Sequence, residues 1–100
     1  MTIRPVLAGI LLTLITTHTW ANDFDDCMKA TGETAIAACT NVIATGQYQG
    51  IYLAGAYFHR GKAKQINGDT DAAISDYNHT IALAPTAATA YSNRGTAKQR

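Results

Sequence analysis

A chain of 100 residues with eight basic and seven acidic side chains has room for one small domain, and its net charge of +1 excludes the concentrated basic surface on which a nucleic-acid binder depends. The chemistry of common sites is also missing from the pattern. His59 and His79 have no His or Cys three or four residues away to complete a metal pair, Gly61-Lys62 lacks the rest of a phosphate loop, and Asp69-Thr70-Asp71 lacks the glycine and distal Glu of a calcium loop. No catalytic residue, metal ligand or cofactor is expected.

From the N-terminus, Met1 to Arg4 carries one positive charge, Val6 to Ile15 is apolar, and Thr19-Trp20-Ala21 ends in a small residue, so residues 1–21 are expected to form a signal peptide cleaved after Ala21. The apolar run breaks at Thr16-Thr17-His18, short of the roughly 20 residues a spanning helix needs. The expectation is export to a periplasmic or secreted location, with no membrane attachment once the leader is removed. Loss of Arg4 leaves seven basic against seven acidic side chains. The remaining charges, including the cluster Arg60, Lys62 and Lys64, are read as solvated helix faces.

Residues 22–50 read as a degenerate helix pair and a loop. A short helix is predicted over Phe24–Ala30, a turn at Thr31-Gly32-Glu33, a second helix over 35–44, and a loop over Thr45–Gly50. Residues 51–87 form the fullest unit. Ile51 to Ile66 is free of proline, and Asn67-Gly68 tolerates the left-handed backbone that ends a helix. Asp69-Thr70-Asp71 offers side-chain oxygens to cap the next helix, whose apolar face is Ala73, Ile74, Tyr77, Ile81 and Ala84, and Pro85 closes it. Residues 88–100 are expected to form either the first helix of a further unit or a capping helix.

The strongest signal is internal. Ala56 to Ile66 recurs as Ala90 to Arg100 at an offset of 34, with identities at the Ala, Tyr, Arg, Gly, Ala, Lys and Gln positions. A weaker copy relates Ala35, Ile36, Ile43 and Ala44 to Ala73, Ile74, Ile81 and Ala82 at an offset of 38, the excess falling in the loop around Thr45–Gly50. Periods of this size denote stacked supersecondary units. The unit Tyr57, Arg60-Gly61, Lys64, Ala73, Tyr77 and Pro85, reopening at Tyr91 and Gly95, resembles the tetratricopeptide repeat family, with Arg60 and Lys64 departing from its leucine and tyrosine. The resemblance implies an all-α fold: a right-handed stack of antiparallel helix hairpins, about five helices after the leader. Gly61 and Ala73 would permit close helix approach, with Tyr57, Tyr77 and Tyr91 filling the space beside them.

Two cysteines in an exported chain favour a disulfide. Cys27 and Cys39 lie symmetrically about Glu33, as Gly61 and Tyr77 lie about Asp69, so a Cys27–Cys39 bond would join the two helices of the first hairpin.

By the same resemblance the first helix of each pair lines a concave groove that holds a peptide. The matching positions are Phe58, His59, Lys62 and Gln65 in one unit and Ser92, Asn93, Thr96 and Gln99 in the next. The implied function is a protein-protein interaction module for a protein or peptide, not an enzyme. The alternative is a structural, self-associating front part of a longer repeat protein.

Overall fold

The computed structural model describes residues 20–99, with side chains from Asn22 onward, as α1 (Trp20–Lys29), α2 (Gly32–Thr45), α3 (Gly50–Ile66), α4 (Thr70–Leu83) and α5 (Ala88–Lys98). There is no strand among the described residues. The expected leader lies outside them except for its last two residues, which open α1, and Arg100 lies outside them as well. No helix of the described residues is long and apolar enough to cross a membrane.

The corners follow the local chemistry. Gly68 sits at φ 87°, its amide donates to the Gln65 carbonyl, and the Asp69 amide donates to the Lys64 carbonyl, the paired bonds of a Schellman end. At the other corner the residue before Pro85 is forced out of helical geometry, and Ala84 is found at φ −138°. One expectation fails at the start of α4. Asp69 makes no side-chain capping hydrogen bond; its backbone sits at ψ 72°, short of the extended geometry from which a capping side chain reaches the next amides.

Successive helices pack on one another. In addition α1 touches α3 and α3 touches α5, whereas α2 and α4 do not meet, so the odd-numbered helices share one side of the molecule. Two small cores result. The first gathers Cys27, Ala38, Cys39, Val42 and Ala56, flanked by Phe24, Met28, Ile43 and Tyr48, with the Phe24 and Tyr48 rings stacked at 4.8 Å. The second gathers Ala73, Tyr77 and Ala97, flanked by Phe58 and Ile74. Because α3 gives Ala56 to one and Phe58 to the other, it is the central member.

Most of the buried hydrophobic residues are alanines, so each contact removes little apolar surface from water and close approach has to compensate. Gly61 provides it. A Cβ at that position would meet Tyr77 Cε1 at 2.8 Å and Asp76 Cβ at 3.2 Å, so the α3 backbone lies directly against the ring. In the first hairpin the same level is covalent: Cys27 and Cys39, both fully buried, are disulfide-bonded with their Cα atoms 4.6 Å apart. Tyr91 and Gly95, expected to pack as Tyr57 and Gly61 do, are exposed instead. The side of α5 that meets α4 is the one carrying Ala90 and Ala97, which turns Tyr91 and Gly95 away from it.

Two outcomes are expected. Reducing the disulfide, or replacing both cysteines by alanine, lowers the unfolding free energy by about 3 kcal/mol, the chain-entropy value for a loop of this length; an unchanged urea midpoint would show that α1 and α2 hold without it. Gly61→Ala destabilises by about 1–3 kcal/mol through overpacking, while Gly95→Ala, with nothing within 4 Å of the added atom, stabilises by about 0.5–1 kcal/mol. Thermal melts of the two variants that move in the same direction would contradict this difference in packing.

Candidate functional site

The geometry of the odd-numbered side begins with a buried carboxylate. Asp76 on α4 is 2% exposed, and an ionised group there must be fully partnered. Arg60 on α3 grips it with both arms, Nε to Oδ2 at 2.8 Å and Nη2 to Oδ1 at 2.7 Å, and Lys64 Nζ stands 3.3 Å from Oδ2. The hydrogen bonds to Asp76 outweigh burial and raise the Arg60 pKa, so the guanidinium is firmly charged. Arg60 and Lys64 are therefore not a solvated face, as their spacing suggests; their side chains are under one-fifth exposed because each bends over the helix to reach Asp76. Arg60 also donates from Nη1 to Thr40 Oγ1 on α2 at 3.2 Å, joining three helices.

This pairing turns the opposite face of α3 toward α1 and α5. His59 stands edge-on to the Phe58 ring at 5.4 Å, and Lys62 Nζ lies 5.8 Å from the same ring centre. Beside them is a cleft of about 200 Å3 between α1 and α3, walled by Met28, Ile66 and Ala63 and rimmed by His59, Lys62 and Lys29. Its chemistry is an apolar floor with a cationic edge. Phe58 itself lines a second, apolar depression of about 240 Å3 where α3, α4 and α5 converge, shared with Ile51, Ala54 and Ala90.

The eight residues expected to line one groove are thus divided among four settings. Phe58 lies in the apolar depression, and His59 and Lys62 rim the cleft. Gln65 accepts a hydrogen bond from the Tyr77 hydroxyl, and the Asn93 side chain reaches the same hydroxyl from α5. Ser92, Thr96 and Gln99 lie along α5, where the Thr96 hydroxyl donates to the Ser92 carbonyl, and all three are exposed. Burial raises the Tyr77 pKa and Asn93 partly offsets it, so the phenol stays protonated and fixed between two helices. The contribution of α1 to the cleft, through Met28 and Lys29, is not legible in the sequence because it depends on how the first hairpin stacks. Outside the cleft, the His79 ring lies 4.5 Å from Tyr57, nearly parallel to it.

Among the described residues no group of three or more His, Cys, Asp or Glu side chains is placed to hold a metal ion. No family model, curated protein or solved structure matches this chain.

Burial, with a smaller contribution from the Lys62 charge, lowers the pKa of His59 below its ordinary 6.5. The unfolded chain therefore binds a proton more readily than the folded one, so the stability contributed by neutral His59 is complete above the ordinary value and is lost as pH falls through it toward the lower folded value. A His59→Gln chain is expected to lose less stability than the parent between about pH 7 and about pH 5. Parallel urea-derived stability profiles for the two chains would show that His59 titrates as freely as in solution.

Proposed function

We propose that this chain is an exported helix-repeat protein of the tetratricopeptide type whose odd-numbered helices bind a peptide or a protein segment, acting by recognition and not by catalysis. The observation that carries the reading is a recurrence in three dimensions that follows the recurrence in sequence. Arg60 lies 5.6 Å from the Tyr57 ring centre and donates back to Thr40 on the preceding helix. Arg94, its counterpart in the next copy, lies 5.3 Å from the Tyr91 ring centre and donates back to Asn78 on its own preceding helix. The two arginines are related by the offset of 34 and their two acceptors by the offset of 38, the same pair of offsets that the internal alignment gives. Equivalent residues making equivalent contacts is what a repeated unit produces.

Export is supported by the charged and apolar start of the chain and by the buried disulfide, a bond that persists in an oxidising compartment. Recognition is supported by the cleft between α1 and α3. Its apolar floor suits a hydrophobic side chain, and Lys62 and His59 at the rim suit an adjacent carboxylate, whereas Lys29 is already paired with Asp25 at 2.9 Å. The expected ligand is therefore a short peptide in which an apolar residue neighbours an acidic residue or a terminal carboxylate.

Selection of a displayed random peptide library on the oxidised chain tests this. Enriched peptides should share the apolar and acidic pair and should lose roughly tenfold or more in affinity on Lys62→Glu, the scale of a lost charge-assisted contact, with helix content unchanged. Absence of enrichment, or binders indifferent to Lys62 and His59, would remove the cleft as the recognition site.

A further inference from the structure

The cleft and the apolar depression share one helix. On α3 the depression is lined by Ile51, Ala54, Gly55 and Phe58, and the cleft by the residues eight positions later, His59, Lys62, Ala63 and Ile66. Eight residues advance about 12 Å along a helix and turn it by about 80°. That turn is why one recess opens beside α5 and the other beside α1. On a helix surface about 5 Å from the axis, the advance and the turn together separate the two recesses by about 14 Å.

The ridge between them is short and charged. It is made by Phe58 and His59, in edge contact at 5.4 Å, with Lys62 Nζ 5.8 Å from the Phe58 ring centre. Lys62 therefore belongs to the rim of one recess and lies over a wall of the other. Its ammonium pairs with no described carboxylate, whereas Lys29, Arg60 and Lys64 are each held by one. Both recesses also leave a large apolar side chain in water, Ile51 at 72% exposure and Ile66 at 77%.

We infer that the depression is a second subsite for the peptide that enters the cleft, and that this ligand is an extended segment with two apolar residues four positions apart and an acidic residue between them. Four residues of extended chain span about 13 Å and put the first and fifth side chains on the same side. Neither recess, at about 200 and 240 Å3, can admit a turn of helix, which at about 10 Å across and 5.4 Å long fills roughly 400 Å3, so each takes one side chain from a strand lying over the ridge. The unpaired Lys62 on that ridge places the carboxylate within the interval. The inference rests on the cleft being a peptide site, as proposed above, and adds the second anchor and the spacing.

The test uses the full oxidised chain and fluorescent serine–glycine peptides that carry one Leu-Asp or Asp-Leu pair, alone or with a second leucine two to eight positions from the first across the aspartate. By anisotropy the second leucine is expected to improve affinity roughly tenfold, with the maximum at four positions, a part of what full burial of its side chain would give. Ala88→Trp fills the depression from an exposed position of α5 and should erase that gain with helix content unchanged. No gain at any spacing, a gain that ignores Ala88→Trp, or a maximum at seven or eight positions, the spacing of a helical ligand, overturns the inference. If single-pair peptides still bind in a Lys62-dependent way, the second subsite falls and the cleft stands; if none binds, both fall. The occupant is settled separately, from nuclear Overhauser contacts of the Ile51 and Ala88 methyls in the unliganded protein expressed from its complete reading frame. Contacts to residues of the same chain outside 20–99, or to a second copy in isotope-filtered mixtures, assign the depression to the protein itself and overturn the inference. Contacts confined to the residues that line it leave it open to a peptide from elsewhere, as expected.

Discussion

The pairing of Arg60 with Asp76 is the constraint on which the rest of the second half depends. A carboxylate 2% exposed is tolerable only if its partner stays within hydrogen-bonding distance, because unpaired it would carry a desolvation cost of several kcal/mol. A two-armed guanidinium contact leaves little freedom in rotation or in sliding, so it fixes the register of α3 against α4 to one position. That register brings the Tyr77 ring onto Gly61 and its hydroxyl to Gln65. Ala97 of α5 packs into the same core with Ala73 and Tyr77. Thr80 completes the buried polar set by donating to the Asp76 carbonyl, and no buried side-chain polar atom among the described residues is left without a partner.

The first hairpin solves the same problem by other means. Cys27 and Cys39 lie symmetrically about Glu33 as Gly61 and Tyr77 lie about Asp69, so the disulfide occupies the level at which the second hairpin places a glycine against a ring. Ala38, the counterpart of Asp76, has no charge to bury. Without an ion pair to set register, the covalent bond does so, and it acts where the core is otherwise built from Ala38, Val42 and Ala56. Closing the loop limits the unfolded chain, a gain that needs no additional apolar area.

Much of this is legible in the sequence, for reasons that can be named. Asn67-Gly68 and Pro85 act on the backbone regardless of what packs above them, so the ends of α3 and α4 fall at or within two residues of their expected positions. The cysteine pairing is readable because antiparallel helices place residues at equal distance from the turn on one level. Asp76 is not readable: on a helix face a lone acid has the same pattern whether it meets water or an arginine on the next helix. The groove residues read as one set because their register along α3 and α5 is shared, yet side-chain direction is settled by neighbours. Gln65 and Asn93 turn to Tyr77, and Phe58 lines the apolar depression. Asp69 fails as a cap because the tight glycine turn before it has already set its backbone.

A repeated sequence does not guarantee a repeated energetic role, and the two arginines make the difference concrete. Both are held by a tyrosine ring and by one side-chain oxygen on the preceding helix. Holding a guanidinium in place removes much of the rotamer freedom that an ion pair would otherwise have to freeze. On α3 that preparation is realised within the fold, where the next helix brings Asp76 back across a short connecting turn. On α5 the same preparation is exposed to solvent, where an arginine and a lysine flank a glycine that costs helix stability and fills no local need. Within the described fold Gly95 is a liability; at Gly61 the same residue is what allows two helices to meet.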